Sequence, residues 1–527
     1  MRDFHRPGRS AVFAENGMCA TSHPLAASAA IDVLKRGGNA ADAAVTAAVL
    51  LGFCEPQMTG IGGDCFAMVK PAGSETLIGL NGSGRSPAAA TAEALRAEGH
   101  AAVPPRSVHA VTVPGAVAAF ERLLADHGKL GLDAALAPAI AYAEQGVPVA
   151  PRVALDWEDA PGVLSGVARD LFLKDGAPYR AGDVFRAPGQ AEALKRIAAE
   201  GARGFYEGPV AEDMVSSLRA LGGVHTLEDF AAQTADYVEP LVGRYRDVEI
   251  AELPPNGQGA TALLIARLLE YFEIARLDPF GPMRAHIEAE ATKLAYDARN
   301  RFIADPEAMR FGLEPMLDDA KIEALARLID PQKAMADPRK AAGAVHRETV
   351  YVAVVDRDRM AVSLIYSIFD DFGSGLASSK YGINFHNRGA GFTLEKGRPN
   401  ELGPRKRPLH TIIPGMLRRE GRVVAPFGVM GGQYQATGHM RLISNIVDYG
   451  LSPQAAIDGP RSFVEDGALM IERGYDEAVV QALEAKGHAV RRRVEPLGGA
   501  QMVLIDHDRG VLEGGSDPRK DGIALGY

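Results

Sequence analysis

The chain has 527 residues, 47% apolar and 24% charged, the balance of a soluble globular protein long enough to bury a large core without covalent staples. Its 57 basic and 67 acidic side chains leave a net charge of −10, which argues against a nucleic-acid partner. Length alone sets a prior of about three domains.

The first twenty residues hold no apolar run of signal-peptide length, so the expected location is the cytoplasm. Residues 24–52 read as two alanine-rich helices broken at Gly37-Gly38. Their longest apolar stretch, Ala40 to Phe53, is interrupted by Asp42 and Thr46 and is too short to cross a bilayer. Next comes Gly60-Ile61-Gly62-Gly63, leading into a strand at Phe66–Val69. This cluster follows a helix and lacks the third glycine of a dinucleotide loop, so it reads as a tight structural turn. Residues 116–127 and 133–144 look helical. The stretch 284–303 places Ile287, Ala291, Leu294 and Ala298 on one face of an amphipathic helix, which Asp305-Pro306 stops.

Residues 332–348 are polar and alanine-rich and read as an exposed linker. A hairpin follows: a strand at Val350–Val355, a turn at 356–359 and a second strand at 360–368. Asp370-Asp371 reads as a solvated turn, because adjacent carboxylates on a loop normally point apart. Val423 to Met430 is extended, although Pro426 argues against a central strand. It runs into Gly431-Gly432 and a helix carrying Met440, Ile443 and Val447 on one face. Strands and helices mix without a βαβ rhythm, which predicts an α+β fold in layers.

Known catalytic loops are missing: there is no GxSxG, HExxH or Walker-type sequence. Cys19, Cys54 and Cys65 lack CxxC spacing, and the thirteen histidines show no ligand spacing on a common helix. Neither a cofactor nor a metal is expected. Thr349 is more informative. Taken alone, it is a β-propensity residue opening a strand. If the chain is cut before it, its α-amine has a pKa of about 7.7–8 against about 10.4 for lysine, close to where a general base works best. One residue would then carry nucleophile and base. Gly431-Gly432 fits that picture, since backbone N–H groups left unpaired at a helix start can stabilise an oxyanion; a plain strand–helix turn is the alternative.

Together these segments resemble the γ-glutamyltransferase family of N-terminal-nucleophile hydrolases over nearly the whole chain. The resemblance runs through Gly37–Ala44, Glu55-Pro56 with Gly60–Gly63, Val113-Pro114-Gly115, Gly204–Gly208, Pro254–Gly259 and Ala291–Arg299. It continues through Thr349–Asp356, Phe372–Gly375, Gly431-Gly432 and Asp517–Gly522. It implies a four-layer αββα sandwich and a precursor that cuts itself between Glu348 and Thr349. Residues 1–348 would form a large subunit ending in the linker and 349–527 a small catalytic one, together one fold. The resemblance assigns Thr349 as nucleophile, Ser367 as its hydrogen-bonding hydroxyl and Gly431 and Gly432 as the oxyanion pair. An acyl-enzyme would be resolved by water or an amine acceptor, with glutathione-like γ-glutamyl compounds as the family's substrate class.

Several positions depart from relatives that process γ-glutamyl compounds. Those begin Thr-Thr-His, whereas this segment reads Thr349-Val350-Tyr351. Phe369 replaces an asparagine, Gly391 replaces the acidic residue that receives the α-amine, and His410-Thr411 replaces a serine pair. Ser83, with Arg85 two positions on, stands near the arginine of the first subunit. The substrate-facing residues are therefore expected to be Arg85, Tyr351, Tyr366, Asn387, Arg388, His410 and Thr411. Arg388, His410 and Arg85 offer cationic donors and no evident acid, which suits an anionic amide lacking an α-amine, as in oxamate-type amidohydrolases or acylases. An uncleaved binding relative is the remaining reading. No membrane partner is expected; a further homo-oligomer is left open.

Overall fold

The computed structural model describes residues 8–338 and 349–527. Two seven-stranded antiparallel sheets form its centre. In the first, the strand order is Ile523–Gly526, Met18–Thr21, Val350–Val355, Ala361–Ser367, Asp64–Lys70, Ile78–Gly82 and Asp236–Val238. In the second it is Val12–Ala14, Val511–Ser516, Gly499–Asp506, Arg422–Met430, Gly415–Arg419, Val248–Glu252 and Leu241–Tyr245.

Strand alternation assigns the layers. Val350, Val352 and Val354 pack outward against the helices Pro24–Lys35 and Ala40–Cys54. Tyr351, Ala353 and Val355 face the other sheet, where they meet Met416, Met430 and Val503. Ile250, Leu417 and Phe427 turn from the second sheet towards the helices Gly259–Leu269, Pro282–Phe302 and Gln435–Val447. The order is helix, sheet, sheet, helix: the αββα sandwich that the family resemblance implies. Strands covered on both faces need apolar residues at every position, which is why Val350–Val355 reads as a continuous run.

The three-domain prior gives way here to one interleaved fold. Val350–Val355, from the last third of the chain, pairs with Met18–Thr21, from its beginning. The Ala40–Cys54 helix is buried at all 15 positions, and alanine lets its neighbours approach closely. Asp42, inside that apolar run, closes a capping box with Asn39 and accepts the backbone N–H groups of Lys129 and Leu130.

Two elements differ from expectation. The helix at 282–302 is amphipathic in sequence, but its polar face is also buried. A small sheet and the helix Glu477–Ala485 pack over it through Val464, Leu469 and Leu483. Its charges are neutralised internally: Arg284 pairs with Glu288 at 2.8 Å and Lys293 with Glu290 at 2.7 Å. Arg422–Met430 is a central strand despite Pro426. Pairing with Gly499–Asp506 begins only at Phe427, so the proline sits just outside that ladder. Of the expected linker, residues 332–338 are mostly exposed. Residues 339–348, including Glu348, lie outside the described residues.

Candidate active site

Thr349 immediately precedes its strand and is fully buried. The hairpin register pairs Val350 with Tyr366, so the next rung brings Thr349 to Ser367. The Thr349 hydroxyl donates to Ser367 Oγ at 3.2 Å. That oxygen also receives the Phe369 N–H at 2.9 Å and Arg388 Nη2 at 3.2 Å. Arg388 Nη1 reaches Thr411 Oγ1 at 3.0 Å. Thr349, Ser367, Arg388 and Thr411 thus form one hydrogen-bonded chain, assembled from a strand start, a strand end, the 3-10 turn Arg388–Gly391 and a loop.

Arg388 is fully buried, its guanidinium centred 4.0 Å over the Phe369 ring. Both side-chain acceptors are neutral hydroxyls, and Nε has no hydrogen-bond partner. Burial lowers its pKa to about 9, opposed by the nearby charges of Asp64 and Asp370. A guanidinium remains charged at neutral pH under those conditions.

The glycine pair lies at the end of Arg422–Met430. Gly431 has φ +116° and ψ +35°, a conformation that side chains strongly disfavour, and a Cβ there would approach Gly498 Cα to 2.8 Å. Gln258 ties this turn to the hydroxyl chain, since its Nε2 donates to Thr411 O at 2.7 Å and Gly432 O at 3.4 Å. Arg299 holds Gln258 Oε1 at 2.8 Å and also bonds Gln433 Oε1, while the Tyr296 hydroxyl donates to Gln433 O. The Pro254–Gly259 and Ala291–Arg299 segments, quoted above only as matching sequence, therefore brace the glycine turn. His439 adds support from behind: its Nε2 accepts the Val429 N–H at 3.2 Å, and its Nδ1 lies 2.7 Å from Glu252.

Other predicted residues take different places. Tyr351 fills the space between the sheets, its hydroxyl 2.7 Å from Ser363 Oγ. Tyr366 points the opposite way, edge-on to Phe120 in the helical layer. Asn387 props the adjoining loop, donating to Asp370 Oδ2 at 2.7 Å and accepting the Asp370 N–H at 3.1 Å. Asp370 is thereby buried rather than a solvated turn. The chain supplies an acid after all. Arg85 is a third exposed and pairs with Asp305 at 3.3 Å.

His410 does not act as a cation. Burial and the neighbouring Arg388 charge lower its pKa to about 3, so the ring is neutral at pH 7. Its Nε2 lies 3.0 Å from Asp64 Oδ2. The sequence reading missed Asp64. This carboxylate sits at the first position of its strand and accepts the Gly84 and Gly115 N–H groups at 3.0 Å each. Burial pushes it up, but His386, His410 and Arg388 outweigh that effect and hold it at about 2. An acid between Gly63 and an apolar strand was its only sequence signal.

The turn Gly60–Gly63 has a mechanical role. A Cβ on Gly63 would lie 2.4 Å from the Ser367 carbonyl oxygen, so the turn supports the strand end that carries Ser367. Gly63→Ala should force these backbones apart at a cost of about 1–3 kcal/mol. We expect a lower melting temperature and slower amide hydrolysis, measured by thermal unfolding and steady-state kinetics; unchanged values in both would remove this role.

Among the described residues, no helix is long and apolar enough to cross a membrane. The Gamma-glutamyltranspeptidase family model matches residues 26–527. The chain is 34% identical to a glutathione hydrolase-like YwrD proenzyme of Bacillus subtilis, over 97% of this chain and 98% of that protein. It is 33% identical to an oxamate amidohydrolase proenzyme of Klebsiella pneumoniae, over 97% and 98%. The crystal structure of a cephalosporin acylase from Bacillus halodurans superposes with a TM-score of 0.93 at 38% identity, covering 100% of this chain and 99% of that one. With this fold, this buried threonine at a strand start and these matches, the chain belongs to the gamma-glutamyltranspeptidase family of N-terminal-nucleophile hydrolases, enzymes that hydrolyse amides or transfer their acyl groups.

Proposed function

We propose that Thr349 is the nucleophile of a self-processing amidase whose acyl substrate ends in a carboxylate received by Arg388. Cleavage between Glu348 and Thr349 releases the Thr349 α-amine, which takes the proton from Oγ as that oxygen attacks the substrate carbonyl. The Gly431 and Gly432 N–H groups receive the oxyanion. The amine then passes its proton to the leaving nitrogen. Water or an acceptor amine adds to the ester and restores the free hydroxyl. Residues 1–348 and 349–527 remain together because their strands interleave in both sheets.

One observation carries the substrate class: a fully buried guanidinium has an unpartnered Nε and no carboxylate within ion-pair distance among the described residues. A buried cation without an ion partner is costly, and an anionic ligand supplies that partner. Only two hydrogen bonds of 3.2 Å each separate Arg388 from Thr349 Oγ1. That short span favours a short acyl group over the longer reach of a γ-glutamyl chain.

Processed protein should therefore hydrolyse monoamides of short dicarboxylic acids with kcat/KM at least about tenfold above γ-glutamyl anilides, equivalent to about 1.4 kcal/mol. A reversed preference would refute the short-acid assignment and favour γ-glutamyl chemistry, with Asp370 as a candidate acid for an α-amine.

A further inference from the structure

Glu98, His100 and His109 come from two pieces of backbone, the C-terminal turn of one helix and a separate 3-10 turn. Glu98 caps the helix Ala92–Ala97, His100 lies in the loop after it, and His109 is in the 3-10 turn Val108–Ala110. The fold brings their side chains to one point on the surface. His109 Nε2 lies 3.4 Å and His100 Nε2 3.7 Å from the same oxygen, Glu98 Oε2. All three ligand atoms are within 4.8 Å of one another. A tetrahedral ion with nitrogen and oxygen ligands at about 2.0–2.1 Å has edges of about 3.4 Å. Two of the three edges are already near that length. The third can close by side-chain rotation, because these side chains are only partly buried.

The geometry points to a divalent transition-ion site of the zinc class, with Glu98, His100 and His109 as ligands and water in the fourth position. Two imidazoles and one carboxylate suit zinc, whereas calcium and magnesium select oxygen ligands. No sequence motif flags this group, because the ligands share no helix and follow no regular spacing.

A second group, His286, Glu290 and His488, has a different character. His286 Nδ1 and His488 Nε2 are hydrogen-bonded at 2.8 Å, shorter than a ligand edge. The other nitrogen of His286 lies 2.8 Å from Asp330 O, and Glu290 accepts Lys293 at 2.7 Å and the Met335 N–H at 2.8 Å. An ion there would have to displace an ammonium group. This buried group instead clips the segment around 330–335 that leads towards the processing site.

The surface site has a structural connection to the reaction centre. His109 precedes Ala110, whose carbonyl oxygen lies 2.8 Å from where a Cβ on Gly389 would stand. Gly389 follows Arg388. Leu95, Ala110 and Phe392 share one small core. A bound ion ties the Ala92–Ala97 helix to the turn that backs the Arg388 segment, and it touches no substrate.

The test uses the full chain without a polyhistidine tag, stripped with a chelator and titrated with zinc chloride by calorimetry. One zinc ion per chain is expected. His100→Ala and His109→Ala should each weaken binding by at least about tenfold, equivalent to about 1.4 kcal/mol. Zinc should raise the melting temperature of the unsubstituted protein and leave that of His109→Ala unchanged. Retained amide hydrolysis in both variants shows that they fold. No binding at about 100 μM zinc, or an unchanged titration in the double variant His100→Ala/His109→Ala, would overturn the site. Loss of amide hydrolysis by Thr349→Ala leaves this result untouched, so the two proposals fail separately.

Discussion

Thr349→Ala should persist as a single chain near 55.8 kDa through prolonged incubation, whereas the unsubstituted protein should yield pieces of about 37 and 19 kDa. Its amide hydrolysis should fall by about four orders of magnitude or more, the scale seen when a nucleophile acting as part of a unit is removed. Both losses have one cause. In the proposed mechanism the same hydroxyl attacks the Glu348 carbonyl once and the substrate carbonyl in every turnover. Alanine also leaves Ser367 with donors from Phe369 and Arg388, so the surrounding loop should keep its geometry. Thr349→Ser, which retains a hydroxyl, should still be cut and should recover measurable hydrolysis. Denaturing electrophoresis and single-turnover assays read the two effects separately. A cleaved or active Thr349→Ala protein would show that another group is the nucleophile.

Arg388→Met should lower kcat/KM for short anionic amides by about 100- to 1000-fold, or about 3–4 kcal/mol, the scale of losing one partner of a buried hydrogen-bonded charge pair. Methionine retains packing against Phe369 while removing the charge. Hydrolysis of an uncharged amide of the same length should change far less. Thermal unfolding should show little loss of stability or a gain, since the native protein buries this guanidinium without an ion partner. Arg388→Lys should fall between, because an ammonium restores charge but not the planar fork. Equal losses on charged and uncharged amides would assign Arg388 to supporting Ser367 instead of receiving substrate. An unchanged kcat/KM would remove it from the site.

The reacting side of the proposed site was legible in the sequence because its parts are local. Thr349 opens a strand, Ser367 ends the next one, and a two-strand register brings them together. Gly431-Gly432 announces itself through two adjacent residues that tolerate a positive φ. The substrate side was less legible. Arg388, His410 and Arg85 looked equivalent as cationic side chains, yet their surroundings separate them. Arg85 pairs with Asp305 near the surface, and His410 is neutral beside Asp64. Of the three, only Arg388 keeps a buried donor without a partner. Tyr351 and Tyr366, adjacent to the reacting residues in sequence or register, point into two different cores.

The sequence by itself determined the layered α+β fold and the family, and it singled out Thr349 as the nucleophile proposed here, because apolar periodicity, glycine placement and an ordered set of motifs are properties of contiguous residues. Charge state and ligand geometry had to wait for the tertiary structure. Burial decides whether a histidine is protonated and whether an arginine needs an anion, and burial is created by segments hundreds of residues apart. Asp64 and His410, 346 positions apart, form one hydrogen-bonded pair only after both sheets are assembled. The composition showed a protein able to fill a large core. Only packing showed which charges that core leaves without a partner.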